Sequence, residues 1–186
     1  MLAIMIFAES GYDKTVFLLL NFGHYQKYAT IILPLLRWTG LMEKEIMQDL
    51  KNSDLENICR ELLNAFQGCL LWKWDSYIDA VLAEFDVGDK DSIRAILERY
   101  LGSTWDNSNI DKAPDMVQMI DNNLVGLRPG QLLFTSDPNQ DTIVFGAWWP
   151  WGDGKTISIR IAPFYKKLSD PEKAEQIKLF KSWFGI

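Results

Sequence analysis

TIVFGAWWPWGDGKTISIRIA, running from Thr142 to Ala162, is the stretch on which the fold turns. After Thr156, Ile157, Ile159 and Ile161 alternate with Ser158, Arg160 and Ala162, the period-two pattern of a strand with one face in a core. Thr142 to Trp149 is an apolar run of strand length, rich in β-branched and aromatic residues. Between the two, Gly152-Asp153-Gly154 supplies turn chemistry. A two-residue turn at Asp153 and Gly154 sets Gly152 opposite Lys155, and so Trp148 opposite Ile159 and Trp149 opposite Ser158. Trp148 then joins the isoleucine face and belongs in a core. Trp149 falls on the other face, near Arg160, within reach of a cation–π contact. The stretch also contains Gly-Lys-Thr, the ending of a phosphate-binding loop. The full pattern needs Gly where Trp149 stands and a helix after Lys155, and here a strand follows.

Outward from this hairpin, Leu132 to Phe134 reads as a third strand, set off by Ser136-Asp137-Pro138-Asn139. On the other side Ser169-Asp170-Pro171-Glu172 is a capping box with Pro in the first turn. It opens an amphipathic helix carrying Ala174, Ile177, Phe180, Trp183 and Phe184. Towards the N-terminus the period becomes helical. Ser53 to Glu56 is a second capping-box pattern, ahead of Leu55, Ile58, Leu62, Leu63 and Phe66. A helix is expected from Asp75 to Phe85, another after Asp91 with Ile93, Ile96, Leu97 and Leu101, and a fourth from Pro114 to about Asn122. Leu2 to Ala8 reads as a buried strand. Lys14 to Trp38 fits either two short helices or a strand pair, and is taken as helix. The expected fold is α+β in a single domain over residues 1–186. Its largely helical N-terminal two-thirds (about 1–125) precedes an antiparallel β-meander of about three strands and a closing amphipathic helix (about 126–186).

A chain of 186 residues, 48% hydrophobic and 13% aromatic, can build one core without a metal or disulfide. Cys59 and Cys69 both fall where helix is expected. Ten residues along a helix separate them by about 15 Å, too far for a bridge, so both are expected as free thiols in a reducing compartment. The apolar start Met-Leu-Ala-Ile-Met-Ile-Phe-Ala lacks a basic segment before it and a cleavage site after it, so it is not read as a signal peptide. No membrane span is expected, and the location is taken as cytoplasmic.

The net charge of −6 is unevenly spread. Leu41 to Val125 holds 17 acidic and 8 basic residues, net −9, against +3 for the rest. So acidic a segment argues against an extended nucleic-acid footprint and suits a basic protein partner. With one histidine, His24, triads and multi-histidine metal centres are hard to assemble. The cluster Glu84, Asp86, Asp89, Asp91 does not fit a calcium loop. Asp75 and Asp79 would share a helix face. Trp148-Trp149-Pro150-Trp151 is the most unusual local feature, and an exposed tryptophan there would serve as a binding platform.

These observations lead to a non-catalytic acidic protein-binding or inhibitory protein, such as an immunity-type protein neutralising a basic toxin or nuclease. No catalytic residue, metal or cofactor is assigned. The partner-binding residues expected are Asp75, Asp79, Glu84, Asp86, Asp89, Asp91, Trp149 and Trp151. Two alternatives stand beside it: a hydrolase using a pair of carboxylates in a deep cleft, and a small-molecule binding module with a closed apolar pocket. Oligomeric state is not legible.

Overall fold

The computed structural model describes the backbone of residues 3–10, 13–20 and 40–186, and side chains from residue 52 onward. Two compact units divide the chain, Met1–Ile46 and Met47–Ile186. In the first, β1 (Ala3–Ser10) and β2 (Asp13–Leu20) pair antiparallel, with Ser10 opposite Asp13 and Ala3 opposite Leu20. The strand at Leu2 to Ala8 is therefore present. The start of the Lys14 to Trp38 stretch is strand and not helix, because Thr15, Val16 and Phe17 find a pairing partner in β1. Residues 21–39 of that stretch lie outside the described residues.

The second unit is built on a six-stranded antiparallel sheet. Its strands are β3 (Lys73–Asp75), β4 (Ala80–Asp86), β5 (Ser103–Trp105), β6 (Leu132–Thr135), β7 (Thr142–Pro150) and β8 (Thr156–Tyr165), in the order β3-β4-β8-β7-β6-β5. Four helices are described: α1 (Gly40–Ala65), of which residues 47–65 belong to this unit, α2 (Lys90–Leu101), α3 (Asp115–Asn123) and α4 (Asp170–Trp183). The period-two alternation divides the sheet's residues between two cores. Val81, Ala83 and Phe85 of β4, Phe134 of β6, Val144 and Trp148 of β7, and Ile157, Ile159 and Ile161 of β8 face one way. Against them pack Leu55, Cys59, Leu62 and Phe66 of α1 and its end, Ile93, Leu97 and Leu101 of α2, and Phe180 and Trp183 of α4. On the opposite face Leu133, Ile143, Phe145, Ala147 and Ala162 meet Met116, Val117 and Ile120 of α3. Each fully buried aliphatic or aromatic side chain contributes about 1.5–3 kcal/mol, so both faces count towards stability. At Gly146 of β7 a Cβ would lie 3.2 Å from Cδ1 of Leu101 and 3.6 Å from Cδ2 of Leu97. The missing side chain is what lets α2 press this close to the sheet.

The hairpin register is the expected one, with Trp148 opposite Ile159 and Trp149 opposite Ser158. The turn is not the two-residue turn at Asp153 and Gly154, however: the Trp151 carbonyl accepts from the Gly154 N–H, and Gly152 to Lys155 form a four-residue loop. The capping box at Ser169 and Glu172 opens α4, α2 runs through the expected Ile93 to Leu101, and α3 follows Pro114.

Much of the remaining expectation is corrected. The N-terminal two-thirds is not largely helical, and the sheet is not a three-strand meander; helices and strands are interspersed along the chain. Asp75 to Phe85 is no helix. It contains the β3–β4 turn and then β4, a strand between two neighbours whose Ala80 to Ala83 are all buried. A strand covered on both faces shows an unbroken apolar run, which a helix can also show. β3 and β5 were not anticipated, since three residues carry no period. Ser53 does not open a helix either, because α1 begins at Gly40 and runs through it. Cys69 lies beyond α1, in the turn at Gly68, and is exposed, whereas Cys59 is buried; both are free thiols.

Candidate functional site

The β7–β8 hairpin and the segment after β4 form one end of the sheet. Asp153 shapes the turn: its Oδ1 accepts from the backbone N–H of Lys155 and of Thr156, each at 2.9 Å, and its Oδ2 from the Thr156 hydroxyl at 2.8 Å. These bonds stabilise the carboxylate and hold Asp153 below the usual range. Trp151 donates its N–H to the Thr156 carbonyl at 2.8 Å, which leaves its indole at the tip, half exposed at 50%. Next to the turn, Val87 donates to the Lys155 carbonyl at 2.7 Å, and Asp86 caps the following turn by accepting from Gly88 at 2.7 Å. Asp86 and Trp151 flank Thr156 from either side, about 10 Å apart at two strand spacings. Asp86, Asp89 and Asp91 are all exposed, as are Lys90 and Lys155. With Asp153 the end carries four carboxylates against two ammonium groups.

On the face that α3 covers, β3, β4 and β8 also carry a polar cluster. Arg160 donates from Nε to Oδ2 of Asp75 at 2.8 Å and from an Nη to the Ser158 hydroxyl at 2.9 Å. Its guanidinium lies 4.2 Å from the centre of the Trp149 ring, the cation–π contact expected from the register. Arg160 and Asp75 keep only 15% of their side-chain surface in solvent. Burial alone would raise the Asp75 carboxyl, but the bonds from Arg160 and from the backbone of Tyr77 and Ile78 outweigh it and hold it low. Beside this pair Lys73 meets Glu84 at 2.8 Å.

At the far end of β8 a groove opens where the β3–β4 turn, the last turn of α3, the end of β8 and α4 converge. Its volume is about 560 Å³. Asp79 and Lys173 stand 3.2 Å apart on its rim, and the Tyr165 hydroxyl donates to Oε1 of Gln176 at 2.9 Å on its wall. Burial pushes the Tyr165 hydroxyl well above its ordinary range, so it stays protonated and donates. Asp79 is the one carboxylate lining this groove, which gives a two-carboxylate hydrolase no pair here. Among the described residues no group of three or more His, Cys, Asp or Glu side chains could hold a metal ion, and no helix is long and apolar enough to cross a membrane.

The eight expected site residues thus fall into three places. Asp86 and Trp151 flank Thr156 at the hairpin end, and Asp89 and Asp91 follow Asp86 in the segment that leads into α2. Asp75, Glu84 and Trp149 share one sheet face, two of them engaged by Arg160 and Glu84 by Lys73. Asp79 belongs to the groove. The partners Lys73, Lys173, Tyr165 and Gln176 were missed, since no local spacing links them to Glu84, Asp79 or one another; Arg160 was tied only to Trp149. No protein-family model, curated protein or solved structure matches this chain.

Proposed function

We propose that this is a non-catalytic binding protein that captures a basic protein through the hairpin end, in the manner of an immunity-type protein neutralising a basic toxin or nuclease. The observation that carries the reading is Trp151, a half-exposed residue on a hydrogen-bonded turn at the same end of the sheet as Asp86, which Asp89 and Asp91 follow in the chain. Tryptophan is the residue type that most often anchors protein interfaces, and its ring face accepts an arginine or lysine. The surrounding carboxylates attract that cation before contact. Asp75 and Glu84 play no direct part, since each already holds a cation. A cytoplasmic location goes with the reading, supported by the two free thiols.

The test is a pull-down from the native host followed by binding kinetics of the recovered partner. Asp86→Asn, Asp89→Asn and Asp91→Asn together should slow association several-fold at low salt, and much less at high salt. The Debye length falls from about 10 Å at 0.1 M to about 3 Å at 1 M, and steering falls with it. Trp151→Ala should instead speed dissociation, by about tenfold or more for an anchor. An acidic partner, or unchanged rates in both variants, rules the reading out.

A further inference from the structure

The groove at the other end of β8 is a second site, about 30 Å along the strand from Trp151, and it makes no use of the acidic hairpin end. Its volume of about 560 Å³ lies within the range of small-molecule sites. The walls are apolar, with Phe145, Phe164 and Ile177 among them. Asn123 lies on the lining too, and two further polar features bear on what the groove could hold. One is the Asp79–Lys173 pair on the rim, opposite charges 3.2 Å apart on side chains that reach solvent, where water and a ligand compete on similar terms.

The other is Gln176. Its side chain is only 8% exposed, and its Oε1 is taken by the Tyr165 hydroxyl. Its Nε2 has no hydrogen-bond partner among the described residues. Every described side-chain nitrogen or oxygen sealed from solvent does have a partner. The free amide must therefore keep some exposure, and Gln176 is one of the residues that line the groove. A nearly buried amide with two unused N–H donors calls for an acceptor.

The geometry points to a binding site for a small zwitterion with an apolar side chain, that is, an α-amino acid of aromatic or branched aliphatic type. Its carboxylate would take Lys173 and the Gln176 amide, its ammonium would take Asp79, and its side chain would lie against Phe145, Phe164 and Ile177. A simple anion would satisfy Lys173 and leave Asp79 facing a like charge; a simple cation would do the reverse. A zwitterion answers both at once, because its own two charges are as close together as those on the rim.

The experiment is a 1H–15N NMR titration of the full chain with phenylalanine, N-acetylphenylalanine and phenylalaninamide. Phenylalanine should shift the amides of residues 77–79, 162, 164, 165 and 173–177 saturably and leave the Trp151 end unmoved. Removing the ligand's ammonium by acetylation, or its carboxylate by amidation, should each weaken binding about tenfold. Glycine should not bind. Lys173→Met should erase the preference for phenylalanine over its amide, and Asp79→Asn the preference over the N-acetyl compound. Lys173 is exposed and Asp79 about one-third so, and Asn tolerates the φ of 53° at position 79, so both variants should keep the parent spectrum elsewhere. No saturable shift up to about 10 mM, shifts away from the groove, or equal affinity for the three probes would overturn the inference. None of these results bears on the hairpin end, which is read by other residues and another assay.

Discussion

Trp148 and Trp149 are neighbours in sequence with opposite surroundings, and replacing each by alanine should show it. Trp148 is 5% exposed and meets Phe85 edge-on with ring centres 5.2 Å apart and Phe134 at 6.2 Å. Removing a buried tryptophan costs about 3–5 kcal/mol in lost transfer energy and cavity. Each edge-to-face pair adds about 0.5–1.5 kcal/mol, so Trp148→Ala should lie near the top of that range, about 5 kcal/mol. Trp149 is half-buried and its specific contact is the guanidinium of Arg160, worth about 1 kcal/mol in a partly desolvated site. Arg160 keeps Asp75 and Ser158 after that loss, but part of the ring's packing on the α3-side core goes with it, so Trp149→Ala should cost about 2 kcal/mol. Equilibrium urea unfolding resolves the difference: with a slope of about 2–3 kcal/mol per M, the midpoint falls by about 2 M in the first variant and by about 1 M or less in the second. Trp148→Phe, with an intermediate loss, covers the case in which the alanine variant is too unstable to measure. Equal midpoint shifts for the two alanine variants, or a larger one for Trp149, would refute the register and the two-core arrangement built on it.

Because the folded Asp75 carboxyl titrates below its unfolded value, its contribution is full above the ordinary aspartate range and is lost as pH falls through the folded value. Asp75→Asn should flatten stability against pH on the acid side, and Arg160→Ala should cost on the order of 3 kcal/mol by leaving Asp75 unpaired, both read by unfolding across pH 2 to 7. Alkylation without reductant should modify Cys69 alone in the folded protein and both cysteines in denaturant, since burial and then Glu56 push the Cys59 thiol well above its ordinary range; a chain that gains two modifications only after reduction would contradict this. Gly146→Ala should cost about 1 kcal/mol and Gly146→Val more than about 2 kcal/mol, as Leu101 and then α2 are pushed from the sheet, measured as loss of melting temperature.

The β7–β8 hairpin could be read because its information is local: one turn fixes the register, and strict alternation at Ile157, Ile159 and Ile161 fixes the faces. β4 could not, because Val81, Leu82 and Ala83 are buried on both sides and the alternation that marks a strand is gone. Of the candidate site, the exposed Trp151 and the carboxylates from Asp86 to Asp91 were legible as a composition. That Asp86 and Trp151 share one end of the sheet depends on β4 pairing with β8 and on Val87 bonding to Lys155, contacts between distant parts of the chain. Asp75 and Arg160 are 85 residues apart, and the pairing that neutralises Asp75 is set by strand order, which no window of sequence contains. The groove is assembled in the same way, from the β3–β4 turn, α3, β8 and α4.

The two outermost strands, β3 and β5, are three residues each, and where β4 runs on past β3 it carries Glu84 and Asp86. Sheets with long flat margins invite another chain to add a strand by main-chain hydrogen bonding, and can polymerise that way. This sheet offers such an arriving strand few free backbone groups and meets it with charge. Strand addition is thereby disfavoured for the second unit, which leaves side chains and loops as its means of contact.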